Sequence, residues 1–214
     1  MADCESASGR AAASPKPAIQ LVTVFAQLDS YARSHPPRSL HLREREGLAV
    51  ATHRFHGDER RFEVTADFVA ARFPQARTAA DVAGGQGMLA RRLRKRHNID
   101  CDVVDPRGWV LRGVSSRAEE YRADMAAYYD VIIGLHPDEA LREVVNSARV
   151  RSVVVVPCCN FWLRDTKLGR DELLDAIEKH HAMYGTSERV VLGFRGPHNR
   201  ALVLRPPPGH GHGL

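Results

Sequence analysis

With 214 residues, 43% of them apolar, the chain suits one α/β domain carrying an N-terminal extension, or at most two small units, and no apolar run approaches the length of a membrane span. Its four cysteines (Cys4, Cys101, Cys158, Cys159) form no Cys-x-x-Cys pair and no disulfide framework, which fits a reducing, cytoplasmic setting. The net charge of +5 is uneven: Arg91, Arg92, Arg94, Lys95 and Arg96 crowd one segment, and Arg189 to the end holds four arginines and no acid.

Met1 to Pro17, rich in Ala, Ser and Pro, reads as a disordered tail. Residues 18–77 read as a helical cap or substrate platform. Leu21, Val24, Phe25, Leu28, Tyr31 and Ala32 share a stripe that predicts a helix over Ile19 to Ala32, ended by Pro36-Pro37. Arg38 to Arg61 is charged and His-rich (His41, His53, His56), with a short helix or hairpin expected. Thr65 reads as the N-cap of a helix from Ala66 to Phe73, with Pro74 as its stop.

Residues 78–206 then alternate strand and helix patterns. Thr78 to Ala83 is the first strand, and Gln86 to His97 a helix with Leu89, Ala90 and Leu93 facing inward. Cys101 to Asp105 is the second strand. Arg107 to Tyr129 is too short and polar for a full helix–strand–helix passage, so one crossover is expected to be shrunken around Val110 to Ser115. Tyr129 to Leu135 and Ser152 to Pro157 read as buried strands from their apolar runs. Between them, Asp138 to Ala148 buries Leu141, Val144, Val145 and Ala148. Asp171 to Met183 buries Leu173, Leu174, Ile177 and His181. Arg189 to Phe194 and Arg200 to Leu204 are joined by a turn too short for a helical crossover, so they pair antiparallel. The expected fold class is α/β: a doubly wound, mostly parallel sheet with a C-terminal antiparallel hairpin, plus a small helical N-terminal extension. Residues 207–214 read as a low-complexity tail whose two histidines are solvated or hold a metal loosely.

Asp81-Val-Ala-Gly-Gly-Gln-Gly87 carries the strongest chemical signal. A turn of small residues between a strand and a helix lets backbone N–H groups approach a ligand closely. Eighteen residues after Gly87, Asp105 ends the next strand, where a carboxylate can accept hydrogen bonds from ribose hydroxyls. An adenosine-bearing cofactor is the expectation.

With these residues the chain resembles the class I S-adenosylmethionine-dependent methyltransferases over roughly residues 78 to 205. The family pattern Asp-x-Gly-x-Gly-x-Gly is matched at Asp81, Gly85 and Gly87, with Ala83 at its first glycine and Gly84 an extra one. The resemblance implies S-adenosylmethionine as cofactor, with Asp81 near its methionine end, Ala83, Gly84, Gly85, Gln86 and Gly87 passing beneath it, and Asp105 on its ribose. Pro106 and Leu135 complete the expected cofactor contacts. Gly134-Leu-His-Pro-Asp138 and Val156-Pro-Cys-Cys-Asn160 resemble the paired strand ends of a subgroup that includes tRNA 2'-O-methyltransferases.

Catalytic candidates lie at those two strand ends, since ligands of open α/β sheets sit beyond the carboxyl ends of strands. His136 is a candidate general base or acceptor-orienting group, or a residue packed under the cofactor. Asp138 is a second candidate, or the N-cap of its helix. Asn160, with Phe161 and Trp162, is placed to orient and stack on a planar substrate, or to begin a helix. Cys158 and Cys159 read as small residues of a pocket floor, the other reading being a covalent nucleophile. No partner stands at metal-ligand spacing from them. Arg195 and Arg200, with His198 between them, sit in an exposed turn suited to a phosphate or to solvent.

Methyl transfer to an O or N atom of RNA (tRNA or rRNA) is the function expected, because the basic segments suit a polyanion, a solvated face being the other reading. Neither DNA specificity nor membrane binding is indicated. A small-molecule acceptor is the alternative. Gly85-x-Gly87-x-x-Ala90 with Asp105 also fits a dinucleotide fingerprint, so an NAD-dependent oxidoreductase is a rival, as is a non-catalytic cofactor-binding protein.

Overall fold

A computed structural model describes residues 57–158, 161–163 and 165–209. The expectations for 1–56, Cys159, Asn160 and the 210–214 tail lie outside the described residues, among them the helix over Ile19 to Ala32. Five strands run parallel, the last two built on unbroken apolar runs: β1 (Thr78–Val82), β2 (Asp100–Val104), β3 (Ser115–Arg117), β4 (Val131–Leu135) and β5 (Ser152–Val156). The hairpin β6 (Thr186–Val191) and β7 (Arg200–Arg205) completes a seven-stranded sheet of order β3-β2-β1-β4-β5-β7-β6. β7 pairs antiparallel with both neighbours. This is the doubly wound α/β sheet with a reversed terminal hairpin expected from the sequence.

Alternate residues of each strand point to opposite faces, and each face has its own helices. On one side α1 (Arg60–Arg72) and α2 (Met88–His97) lay Ala66, Val69, Leu89 and Leu93 against Ala79, Val103, Ile133 and Val154. On the other, α3 (Leu141–Asn146) and α4 (Arg170–His181) lay Val144, Val145, Leu174 and Ile177 against Ala80, Ile132, Val153 and Leu202. Each fully buried Leu or Ile contributes roughly 1.5–3 kcal/mol, so the two layers dominate the stability.

Several local expectations are corrected. α1 begins at Arg60, six residues before the expected Ala66, and Thr65 is a buried residue inside it rather than its cap. Asp58 starts the helix instead: its carboxylate accepts from the Arg60 N–H at 2.9 Å and from the Arg195 N–H of the hairpin turn at 2.7 Å. Because α1 shares the core of α2, the link through Pro74 is a turn within one folded unit. No helix forms between β2 and β3; the shrunken crossover is the segment 105–114, pinned where the Leu111 N–H donates to the Gln86 carbonyl at 2.9 Å. Trp162 does not offer a stacking face. It is buried between the Arg142 guanidinium, 4.6 Å from its ring centre, and the edge of His180.

Two of the hairpin's arginines are ion-paired within the chain. Arg189 meets Asp175 and Glu178 of α4, Arg200 meets Asp171, and Arg205 lies over the Phe73 ring at 5.5 Å. α4 therefore neutralises two of the four C-terminal arginines, Arg189 and Arg200. On α2, Arg96 is held by Glu63 and Asp67, whereas Arg91, Arg92 and Lys95 have no ion pair among the described residues.

Candidate functional site

The turn after β1 is shaped by one buried carboxylate. Asp81, 1% exposed, lies beneath Gly84, where any Cβ would stand 2.4 Å from its Oδ2. That oxygen has no hydrogen-bond partner among the described residues. Burial raises the Asp81 pKa to about 7; a hydrogen bond from the Ala90 backbone opposes the shift and the Asp105 charge reinforces it. The same burial, with the Asp81 and Asp102 charges behind it, pushes the Cys101 thiol well up.

Ala83 follows in the left-handed region at φ 54°, the position where the methyltransferase pattern has glycine. Gly87 opens α2 at φ 76°, and a Cβ there would reach 2.7 Å from Val114 and 2.8 Å from Val103. Glycine is required at that point for the helix to approach the sheet.

Asp105, at the end of β2, is buried and fully engaged. Oδ2 accepts from the Gly85 N–H at 2.9 Å and from Arg107 Nη2 at 2.6 Å. Oδ1 accepts from the Arg107 N–H and Nε, both at 2.9 Å. Burial pushes this carboxyl up, but the Arg107 and Gly85 donors outweigh it and hold the pKa below the ordinary range.

A cavity of about 690 Å³ opens over this carboxylate, at the carboxyl ends of β1, β2 and β4. Its wall carries Asp105, Glu120, Asp138, Glu139 and Glu143, with Arg107 the one cation lining it among the described residues. Tyr121, Pro106 and Phe161 supply apolar surface, Phe161 being 44% exposed. Tyr121 is fixed by its hydroxyl, 2.7 Å from Ser147 Oγ, and Glu143 by the Ala123 N–H at 2.8 Å. Burial raises the Tyr121 phenol, so it stays protonated at any working pH.

Of the expected cofactor residues, Ala83, Asp105 and Pro106 line the cavity. Gly85 and Gln86 act through their backbones, on Asp105 and on the 105–114 segment, while Gly84 and Gly87 shape the turn. Asp81 lies beneath it, and Leu135 is buried in the core under α1 and α2.

Of the catalytic candidates, Asp138 is in the wall. It stands at φ 46°, accepts from Cys158 Sγ at 3.5 Å, and makes no helix-capping bond, so the N-cap reading is corrected. His136, at φ 61°, is not among the lining residues. Its Nε2 donates to the His198 carbonyl at 3.1 Å, and burial, with help from the Arg61 charge, lowers its pKa. The ring is neutral at neutral pH and ties the end of β4 to the hairpin turn. Asn160 and Cys159 lie outside the described residues, and Cys158 is half-buried beside Asp138.

Sequence reasoning missed Arg107, Glu120, Tyr121, Glu139 and Glu143. Arg107, two residues past Asp105, was the one with a local signal; the others come from distant segments that only the fold assembles.

Among the described residues no group of three or more His, Cys, Asp or Glu is arranged to hold a metal, and no helix is long and apolar enough to cross a membrane. No protein-family model matches the sequence, and no curated protein matches it. Solved structures similar to it include the sugar N-methyltransferase KedS8 from Streptoalloteichus, 16% identical over 75% of this chain and 99% of that one, TM-score 0.46. The N-terminal domain of EvdMO1, solved with SAH bound, is 14% identical over 84% of this chain and 94% of its own, TM-score 0.44. Human N-acetylserotonin methyltransferase, solved with SAM, is 12% identical over 69% of this chain and 51% of its own, TM-score 0.41. At these identities and scores a likeness says nothing about what a site binds.

Proposed function

We propose that the chain is an S-adenosylmethionine-dependent methyltransferase. The observation that carries the reading is the charge of the cavity wall: among the described residues, five carboxylates and one arginine line it at the carboxyl edge of β1, β2 and β4. S-adenosylmethionine is a net cation, with a sulfonium and an ammonium against one carboxylate. A nicotinamide dinucleotide brings a diphosphate, which such a wall repels. The residues present therefore fit the sulfonium cofactor better than its rival.

Asp105 would hold the ribose. Its two bonds from the Arg107 side chain, one per oxygen, are the geometry that two vicinal hydroxyls would take over. Ala83 and the Gly84–Gly87 turn would lie beside the methionine end, with Asp81 below. The cofactor supplies an activated methyl group; the chain's task is positioning and removal of the acceptor's proton. Asp138 is the group we assign to that proton, because it lines the cavity and His136 does not. His136 is a positioning residue that holds the strand end against the hairpin.

For the acceptor, an O or N atom of RNA is supported by the α2 cations that lack an ion pair among the described residues. A small-molecule acceptor is the second reading, favoured by the same anionic wall, since Glu120, Glu139 and Glu143 would repel phosphates brought to the cavity mouth. Incubating the protein with labelled S-adenosylmethionine and either total RNA or a metabolite extract tests both. Label in RNA supports the first, label only in metabolites supports the second, and no transfer with tight NAD binding overturns the methyltransferase reading.

A further inference from the structure

A second recess lies on the α2 side of the sheet, beyond the cavity and outside the cofactor reading. It measures about 150 Å³ and is framed by Arg91, Arg94 and Lys95 of α2 and by Arg112 across from them. Its floor is small and apolar, from Ala90, Cys101 and Val114. Arg91, Lys95 and Arg112 have no side-chain hydrogen bond or ion pair among the described residues, and Arg94 has only Asp100 at 3.8 Å. Four cations converging on one recess with so little compensation repel one another, an arrangement that an anion relieves.

Trp109, on the segment that supplies Arg112, is 73% exposed. An exposed aromatic three residues before Arg112 and a cluster of uncompensated cations are the two components of single-strand binding, a ring for a base and a cationic track for phosphates. The segment 105–114 carries both sites: Asp105, Pro106 and Arg107 line the cavity, and Arg112 to Val114 line the recess.

We infer that the recess between α2 and Arg112 binds the sugar–phosphate backbone of a single-stranded RNA segment, with a base stacked on Trp109. The inference deepens the RNA form of the methyltransferase reading. It also disfavours duplex nucleic acid, because a stacking ring needs an unpaired base.

Anisotropy of a labelled single-stranded RNA with the full-length protein, across a salt series, tests it. The wild type is expected to bind with an affinity that falls steeply with salt. Arg91→Gln with Arg112→Gln should weaken binding at least tenfold and flatten the slope of log affinity against log salt by about 1.4, roughly 0.7 for each phosphate no longer neutralised. Trp109→Ala should weaken binding without changing the slope. S-adenosylmethionine binding by calorimetry and the melting temperature should be unchanged in all three substitutions. Wild-type affinity in the double variant, preference for duplex RNA, or binding to anionic phospholipid vesicles in place of RNA overturns the inference. Cofactor binding without RNA binding sinks this proposal alone; RNA binding without cofactor binding sinks the methyltransferase reading alone.

Discussion

Arg107 grips Asp105 at both oxygens, its Nε 2.9 Å from Oδ1 and its Nη2 2.6 Å from Oδ2. The arginine side chain is 60% exposed and the aspartate 2%, so the carboxylate is fixed and the guanidinium is the partner free to leave. Any ligand that needs those two acceptors must first displace the arginine. Asp105→Ala is expected to weaken S-adenosylmethionine binding at least tenfold, whereas Arg107→Ala should tighten it several-fold by removing the competitor. Calorimetry on the two variants checks this; weaker binding in Arg107→Ala would assign the guanidinium to the ligand instead.

Asp81 ties stability to pH. Its folded pKa of about 7 lies above the unfolded value of 3.8, so between those limits the folded state binds the extra proton. Stability from this group is present in full below pH 3.8, falls by about 1.4 kcal/mol per pH unit up to about 7, and is level above that. Asp81→Asn should abolish that decline and raise the melting temperature at pH 8. Denaturant titrations at several pH values provide the readout, and an unchanged slope in the variant would refute the assignment.

Ala83 holds a left-handed conformation that costs a non-glycine residue roughly 1–2 kcal/mol. Ala83→Gly is expected to stabilise the chain by about 0.5–1 kcal/mol, the relief of strain being partly offset by the greater freedom of glycine when unfolded. Gly87→Ala should act oppositely, losing several kcal/mol, because its Cβ would overlap Val103 and Val114. Chemical denaturation of the pair would show the opposite signs.

Asp138 and His136 separate by their readouts. Asp138→Asn should lower kcat by about 10²-fold, the effect of losing a general base. His136→Gln keeps a donor for the His198 carbonyl and should leave kcat within a few-fold. A larger loss in His136→Gln than in Asp138→Asn would reverse the roles.

Most of the sheet was legible because buried parallel strands need unbroken apolar runs, as in Val131–Leu135 and Ser152–Val156, and such runs stand out from the charged segments around them. The inward faces of α2, α3 and α4 were legible from their spacing. α1 begins before the expected Thr65 cap because Phe62 continues the stripe of Ala66 and Val69, and a carboxylate shared with the distant Arg195 fixes that end. The glycine turn and Asp105 marked the edge where the cavity opens, but not its acidic wall, which draws Glu120, Glu139 and Glu143 from separate segments. Charge was the least legible property. Arg189 and Arg200 looked free in the sequence, yet α4 supplies their carboxylates across the fold.

The described chain has four non-glycine residues with left-handed backbone, and three of them, Ala83, His136 and Asp138, cluster at the ends of β1 and β4. The fourth, Asn98, only closes a helix. Strain gathered at one rim is held there by the packed strands behind it. Substitutions that relax it are the easiest gains in thermal robustness open to this chain, and each would reshape the ligand edge as it did so. Heat tolerance and reactivity are thus set against each other at the same two strand ends, where variants selected for one are expected to lose some of the other.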